Sequence, residues 1–115
     1  MQKQRLDIYE TNADAGRKYY ISRINKVMDY ISANLEKDIP LEQAAKVAGF
    51  STYYFHRIFS SMVGETCHQF TKRIRLEKAA ARLKNEPAKS ITEIAFECGF
   101  SGSDAFSRAF SQHFG

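Results

Sequence analysis

The sequence predicts an all-α protein of about seven helices, arranged as a two-helix unit that occurs twice. Apolar residues recur at helical spacing from Tyr20 onward. Only two prolines and six glycines interrupt 115 residues, too few punctuation points for a many-turned sheet. Residues 41–64 also align with residues 91–115.

Composition sets outer limits. Hydrophobic residues make up 43% and charged residues 26%, so a packed core is within reach and disorder is not expected. The formal charge is +4 and the isoelectric point about 9.1. A basic balance suits a polyanion such as nucleic acid or an anionic membrane, but this excess is too small to decide. Cys67 and Cys98 make no disulfide framework, which fits a reducing, cytoplasmic compartment. Met1–Glu10 is polar and lacks the apolar stretch of a signal peptide. No apolar run approaches the length of a membrane span, so no membrane partner is expected.

Residues 1–19 carry no strong period and read as an N-terminal extension, a short helix or tail with a break at Asn12–Gly16. The first subdomain is expected over residues 20–65. Ile24, Val27, Met28, Ile31 and Leu35 form one apolar stripe. Lys37–Pro40 ends that helix, and Pro40 suits the start of the next, where its missing N–H does no harm. Leu41–Ala48 reads as a short helix, Gly49-Phe50-Ser51 as a turn, and Thr52–Val63 as a helix burying Phe55, Ile58, Phe59 and Met62. Gly64 stops it.

A linker helix is expected over 66–85. Thr66 caps it, Phe70, Ile74, Ala80 and Leu83 form its core face, and Leu76 and Ala79 flank that face. Asn85-Glu86-Pro87 closes it. The second subdomain spans 86–115. Ser90-Ile91-Thr92-Glu93 is a capping box, in which serine and the glutamate three residues on satisfy each other's backbone N–H. Ile91, Ile94, Ala95 and Cys98 make a short helix, residues 99–102 a turn, and Ser103–Phe114 the last helix, burying Phe106, Ala109, Phe110 and Phe114.

The internal repeat is the most informative feature. Ala45, Gly49, Phe50 and Ser51 match Ala95, Gly99, Phe100 and Ser101. Phe55, Arg57, Phe59, Ser60 and Gly64 match Phe106, Arg108, Phe110, Ser111 and Gly115, with one extra residue in the second turn. The alanines let two helices approach closely. The glycines can take positive φ at a helix end, and the phenylalanines plug the corner. Together these describe a helix-turn-helix. An ordinary αα-corner without a ligand has the same shape, so shape alone leaves both readings open.

The faces opposite the cores sharpen the choice. Tyr53, His56, Arg57 and Ser60 fall outward on the first copy, and Asp104, Ser107, Arg108 and Ser111 on the second. Arg57 and Arg108 suit guanine O6 and N7, His56 and Tyr53 suit hydrogen bonds or a thymine methyl, and Asp104 suits cytosine N4. The competing reading is a solvated polar face whose arginines pair with nearby acids. An arginine at matching positions of both copies raises the readout reading to an even footing with the solvated face and leaves both open. The second face is poorer, so the first is expected to carry more base-specific energy.

Candidate phosphate contacts are Ser51, Thr52, Ser60, Ser101 and Ser111, with Lys72 and Arg73 of the linker helix. That helix carries Lys72, Arg73, Arg75, Lys78, Arg82 and Lys84 against the single acid Glu77, and either meets phosphates or is a solvated face. At 1.5 Å per residue it is roughly 28 Å long. Successive major-groove segments on one face of DNA lie about 34 Å apart, so such a helix suits a monomer with two reading heads.

Other classes find little support. His56, His68 and His113 stand in no triad or metal-ligand spacing, and Cys98 reads as a small core hydrophobe. Gly99 and Gly102 belong to a turn and not to a phosphate loop. Neither catalysis, a metal nor a cofactor is expected. The alternative function is a helix-turn-helix adaptor that binds only proteins.

These residues resemble the AraC/XylS family of bacterial transcription regulators over roughly Ile24 to Gly115. The resemblance rests on AAKVAGFSTYYFHRIFSSMVG, on FTKRIRLEKAAARL, and on Ile91-x-x-Ile94-Ala95-x-x-x-Gly99-Phe100 followed by Phe106-Ser107-Arg108-x-Phe110. It implies two homeodomain-like helix-turn-helix subdomains joined by a long helix, with both second helices in consecutive major grooves. It implies base contacts by Tyr53, His56 and Arg57, and by Ser103, Asp104, Ser107 and Arg108. It further implies double-stranded DNA and RNA polymerase as partners, and a small-molecule effector acting through a domain outside these residues. Two departures stand out. The family often has a lysine pair where this chain has Ser60-Ser61 and Ser111-Gln112. It usually continues past the position of Gly115, so the chain resembles an excised DNA-binding domain.

Overall fold

The computed structural model describes residues 15–115. The described residues form six helices and no strand: α1 (Ala15–Ala33), α2 (Leu41–Ala48), α3 (Thr52–Val63), α4 (Cys67–Asn85), α5 (Ile91–Glu97) and α6 (Ser103–Phe114). The all-α class is therefore as expected. The separate N-terminal element expected within 1–19 lies largely outside the described residues. Gly16, expected in a break, stands instead in the first turn of α1, where backbone N–H groups lack intrahelical partners anyway and glycine forfeits least.

The described chain groups into two compact units, residues 15–33 with 39–70 and residues 34–38 with 71–115. In the first unit, α1 buries Ile21, Ile24, Val27, Met28 and Ile31. Against them stand Ala44, Ala45 and Ala48 of α2, all buried, whose small side chains permit close helix approach. Phe55 and Phe59 of α3 complete the core, and Phe70 of α4 closes it, its ring centroid 5.6 Å from that of Phe59. Each such ring stabilises by about 1.5–3 kcal/mol relative to exposure. Ile58 and Met62, expected in this core, are only half-buried.

Leu35 departs from the expected stripe. The helix stops at Ala33, and the Lys37 N–H bonds the Asn34 carbonyl in a turn (3.0 Å). Leu35 is buried within the second unit. The core of that unit is Leu76, Ala79, Ile94, Ala95, Cys98 and Phe106, with Leu83, Phe100 and Ala109 packed beside it. On the linker helix Phe70 and Ile74 are buried as expected, and the departure lies in the other positions of its face. Leu76 and Ala79 are buried, while Ala80 and Leu83 are half-buried.

Two arginines tie the second unit together. Arg75 donates from Nε to the Leu35 carbonyl (3.1 Å) and from Nη2 to the Lys37 carbonyl (2.8 Å). Gly99 backs onto this junction at φ +95°, and a Cβ there would run into the Leu35 oxygen and Arg75 Nε. Arg82 donates to both carboxylate oxygens of Glu86 (2.8 and 3.0 Å) and to Glu97. Lys89 reaches Glu97 as well (2.9 Å). The hydrogen bond from Arg82 holds the Glu86 carboxyl below its usual range, and those from Lys89 and Arg82 do the same for Glu97. Burial pushes the Cys98 thiol up, in keeping with its place in the core.

Candidate nucleic-acid interface

The repeat is reproduced bond for bond in the two turns. In the first, the Gly49 N–H bonds the Lys46 carbonyl (3.1 Å) and the Phe50 N–H bonds the Ala45 carbonyl (3.0 Å). In the second, Gly99 bonds Phe96 (3.1 Å) and Phe100 bonds Ala95 (2.9 Å). This pair of bonds is the Schellman closure, which needs a left-handed residue just past the helix. Gly49 and Gly99 supply it with φ of +80° and +95°.

The extra residue of the second copy separates the units at the next step. Ser51 caps α3, its Oγ accepting from the Tyr54 N–H at 3.2 Å. In the second unit the residue before α6 is Gly102, which offers no side-chain cap, and Ser101 is displaced from the capping position. A second difference is a brace from α1. The Tyr54 and Tyr20 hydroxyls lie 2.8 Å apart, and Phe50 packs edge-on to Tyr54 with centroids 5.5 Å apart. The hydrogen bond to Tyr54 raises the Tyr20 pKa, so this phenol stays protonated. The residue aligned with Tyr54 is Ala105, which can make no such bond. No local period links residues 34 apart, so the sequence pattern carries no signal for this brace.

Most reading candidates fall where expected. Tyr53 is 71% exposed, and His56 and Arg57 are exposed beside it. Arg57 donates from Nη1 to the Tyr53 hydroxyl (3.0 Å), with its guanidinium carbon 5.8 Å from the ring centroid. Asp104, Ser107 and Arg108 are exposed on α6, and Ser103 is half-buried at its start.

Several candidates need correction. Ser60 does not continue the outward stripe, because its Oγ is buried without a hydrogen-bond partner; it leans toward the core side of α3. Its aligned partner Ser111 is exposed, as are Ser51 and Ser101, while Thr52 is half-buried. Arg73 is not a free cation, since Glu77 one turn on pairs with it at 3.2 Å. Arg75 and Arg82 are committed to carbonyls and carboxylates inside the second unit. The continuous basic helix of the sequence thus reduces to exposed Lys72, Lys78 and Lys84. At 100° per residue these do not share one face.

The buried face of α6 also differs from expectation. Phe106 is buried and Ala109 half-buried, but Phe110 is 40% and Phe114 54% exposed. Phe59, the partner of Phe110 in the repeat, is covered by Phe70 of α4. Phe110 instead stacks with Phe106 and Phe114 of its own helix, at 5.8 and 4.6 Å.

Among the described residues, no cluster of His, Cys, Asp and Glu would hold a metal ion. No described helix is long and apolar enough to cross a membrane.

Known proteins share this architecture. A sequence model described as a helix-turn-helix domain matches residues 44–115. A probable transcriptional regulator, LumQ of Photobacterium leiognathi, is 35% identical over 97 residues, covering 83% of this chain and 39% of that protein. The transposon Tn10 TetD protein of Escherichia coli is 33% identical over 98 residues, covering 85% of this chain and 70% of its own length. Among solved structures, a Chromobacterium violaceum transcriptional regulator described as an AraC-type DNA-binding domain-containing protein superposes with a TM-score of 0.75. It is 27% identical, with 88% of this chain and 87% of that one covered. The chain spans about two fifths of LumQ's length, at 39%.

Proposed function

The chain belongs to the AraC-type helix-turn-helix family of DNA-binding transcription regulators, and from that premise we propose that it reads an asymmetric DNA site as a monomer, with α3 and α6 entering consecutive major grooves. Residues 20–65 and 86–115 are the two reading subdomains, and 66–85 is the spacer.

The supporting observation is the outer face of α3, where Tyr53, His56 and Arg57 stand exposed on a helix that is capped and braced from behind. Arg57 contacts guanine O6 and N7, the geometry a guanidinium fork matches, and His56 takes a neighbouring base edge. On α6, Ser103, Asp104, Ser107 and Arg108 face the second groove. Arg108 is the principal donor there, and Asp104 accepts from cytosine N4. Ser51, Thr52, Ser101, Ser111 and Lys72 contact phosphates. Ser51 can do so while capping, because its oxygen accepts from Tyr54 and its O–H remains to donate.

The exposed α3 triad offers more bonding capacity than the small side chains of α6. The first unit therefore supplies most of the base discrimination, and the second mainly fixes register. In the whole regulator this domain works in the cytoplasm, contacts RNA polymerase, and answers to a small-molecule effector held by a domain outside these residues.

Selection of bound duplexes from a random DNA library tests this reading. The expected result is an asymmetric site of about 20 base pairs with two elements roughly one helical turn apart. Affinity should fall steeply with salt, because neutralised phosphates release counterions. Failure to enrich any sequence at low salt would overturn the proposal in favour of a protein-binding adaptor.

A further inference from the structure

We propose that Tyr53 is a positioning residue for Arg57, holding the guanidinium ready for its base and making no base contact of its own. The inference rests on the DNA-reading function above and assigns Tyr53 a different part in it.

Tyr53 and Arg57 lie four residues apart on α3, which places one side chain above the other on the same helix face. Arg57 Nη1 donates to the Tyr53 hydroxyl at 3.0 Å. The guanidinium carbon lies 5.8 Å from the ring centroid, within the roughly 6 Å reach of cation–π attraction. The phenol therefore grips the cation twice, through its oxygen and through its ring. Among the described residues no carboxylate pairs with Arg57, so this neutral partner is the one that sets its pose.

The chemistry leaves Arg57 free to read. A guanidinium carries five N–H donors, and the bond to Tyr53 uses one. The edge formed by Nε and Nη2 stays open, and two parallel donors are what guanine O6 and N7 require. An unrestrained arginine gives up rotamer freedom on binding. One already held in place gives up less. A carboxylate in the position of Tyr53 would bond more strongly but would neutralise the arginine near phosphates. The second copy has that arrangement in sequence, since Asp104 aligns with Tyr53 and Arg108 with Arg57. No Asp104–Arg108 pair forms. Tyr53 is also 71% exposed, so it is not a core ring and its replacement leaves the fold unburdened.

A double-mutant cycle on the selected DNA site tests this, with Tyr53→Phe, Arg57→Ala and the two combined. Affinity is measured for the site and for its single-base-pair variants at fixed salt, with thermal stability followed in parallel. Tyr53→Phe keeps the ring and removes the acceptor. It should leave stability and affinity for unrelated DNA unchanged and weaken site binding roughly 2- to 10-fold. The discrimination lost should fall at the same base pair that Arg57→Ala affects. In the Arg57→Ala background it should cost nothing further.

Loss of discrimination at a different base pair, or an equal further loss in the Arg57→Ala background, would show Tyr53 contacting DNA itself and overturn the proposal. An unchanged or tighter Tyr53→Phe complex would overturn it too, by showing the bond idle or sequestering. If Arg57→Ala leaves every base preference intact, the reading role of Arg57 fails and the positioning role falls with it.

Discussion

α3 and α6 occupy the same place in two copies of one motif, yet they are supported differently. Their preceding turns share both hydrogen bonds and the left-handed glycine. Beyond the turn, α3 has a serine cap, a tyrosine brace from α1 and a buried Phe59 sealed by α4. α6 has an uncapped start, an alanine in place of the brace and a half-exposed Phe110. The backbone of the motif is thus fixed by a few residues in the turn. The cap, the brace and most of the outward side chains, the matched Arg57 and Arg108 apart, come from residues that the repeat does not share. Under the proposed reading, the first unit discriminates between bases and the second fixes register.

The sharpest way to break the comparison is through the one feature both units share. Alanine at Gly49 or Gly99 forces an L-residue into left-handed backbone, at about 1–2 kcal/mol. At Gly49 the new Cβ would meet Arg23 Nη1 at 3.0 Å, the mobile end of a side chain that can swing away. At Gly99 it would meet the Leu35 carbonyl and Arg75 at their bonding site. Gly99→Ala should therefore destabilise by roughly 3–5 kcal/mol against roughly 1–2 for Gly49→Ala. Thermal or denaturant melts measure this directly. Equal losses would mean that the Arg75–Leu35 junction yields as easily as a surface side chain.

The functional counterpart uses the matched arginines. Arg57→Ala should cost about 1–3 kcal/mol of binding and relax specificity at one base pair. Arg108→Ala should cost less, below about 1 kcal/mol, and should weaken all sequences more evenly. Titrations of both variants against the selected site and its base-pair variants decide it. A larger and more specific loss from Arg108 would reverse the assignment of the two reading heads.

Legibility followed the range of each interaction. The six described helices, the two glycine turns and the Ser90–Glu93 capping box were readable because each rests on neighbours within a few positions. The outward placement of Tyr53, His56 and Arg57 was readable for the same reason: helical period alone fixes it once Phe55 and Phe59 are known to be inside. The errors arose where distant groups decide. Helical pattern puts Arg75 and Arg82 on a basic face that meets phosphates or solvent, whereas the fold gives Arg75 two carbonyls of residues 35 and 37, and Arg82 a carboxylate on α5. Leu35 sat on the α1 stripe by period but was claimed by the second unit once the helix ended. Phe110 looked as buried as Phe59, although burial of Phe59 depends on a ring from another helix.

The capping difference gives a smaller test. Ser51→Ala removes the bond to the Tyr54 N–H and should destabilise by about 1 kcal/mol. Ser101→Ala, at the aligned position, should stay within about 0.5 kcal/mol, because that hydroxyl caps nothing and is exposed. Chemical denaturation resolves a difference of this size. A comparable loss at Ser101 would show α6 drawing on that serine in solution.

The smallest effect separates the units by pH. The second unit is clasped by carboxylates. Glu86 is held below the ordinary carboxyl value of 4.5 by Arg82, and Glu97 by Lys89 and Arg82. A carboxyl whose folded pKa is depressed stabilises the fold fully above its unfolded value. That contribution starts to fade as pH drops below about 4.5 and is gone below the folded value. Arg82 stays charged throughout, so protonation of the two glutamates alone breaks the clasp. Both carboxylates are exposed, so the contribution is modest and salt-sensitive. The brace of the first unit is a hydrogen bond between two hydroxyls and involves no carboxylate. Hydrogen exchange between pH 6 and pH 3, corrected for the intrinsic rate, should therefore show protection falling first across the end of α4 and α5. The turn between α2 and α3 should keep its protection. Replacing both Glu86 and Glu97 with glutamine should abolish that difference, leaving the two units with the same acid response. Survival of the difference in that variant would place the acid-labile group elsewhere.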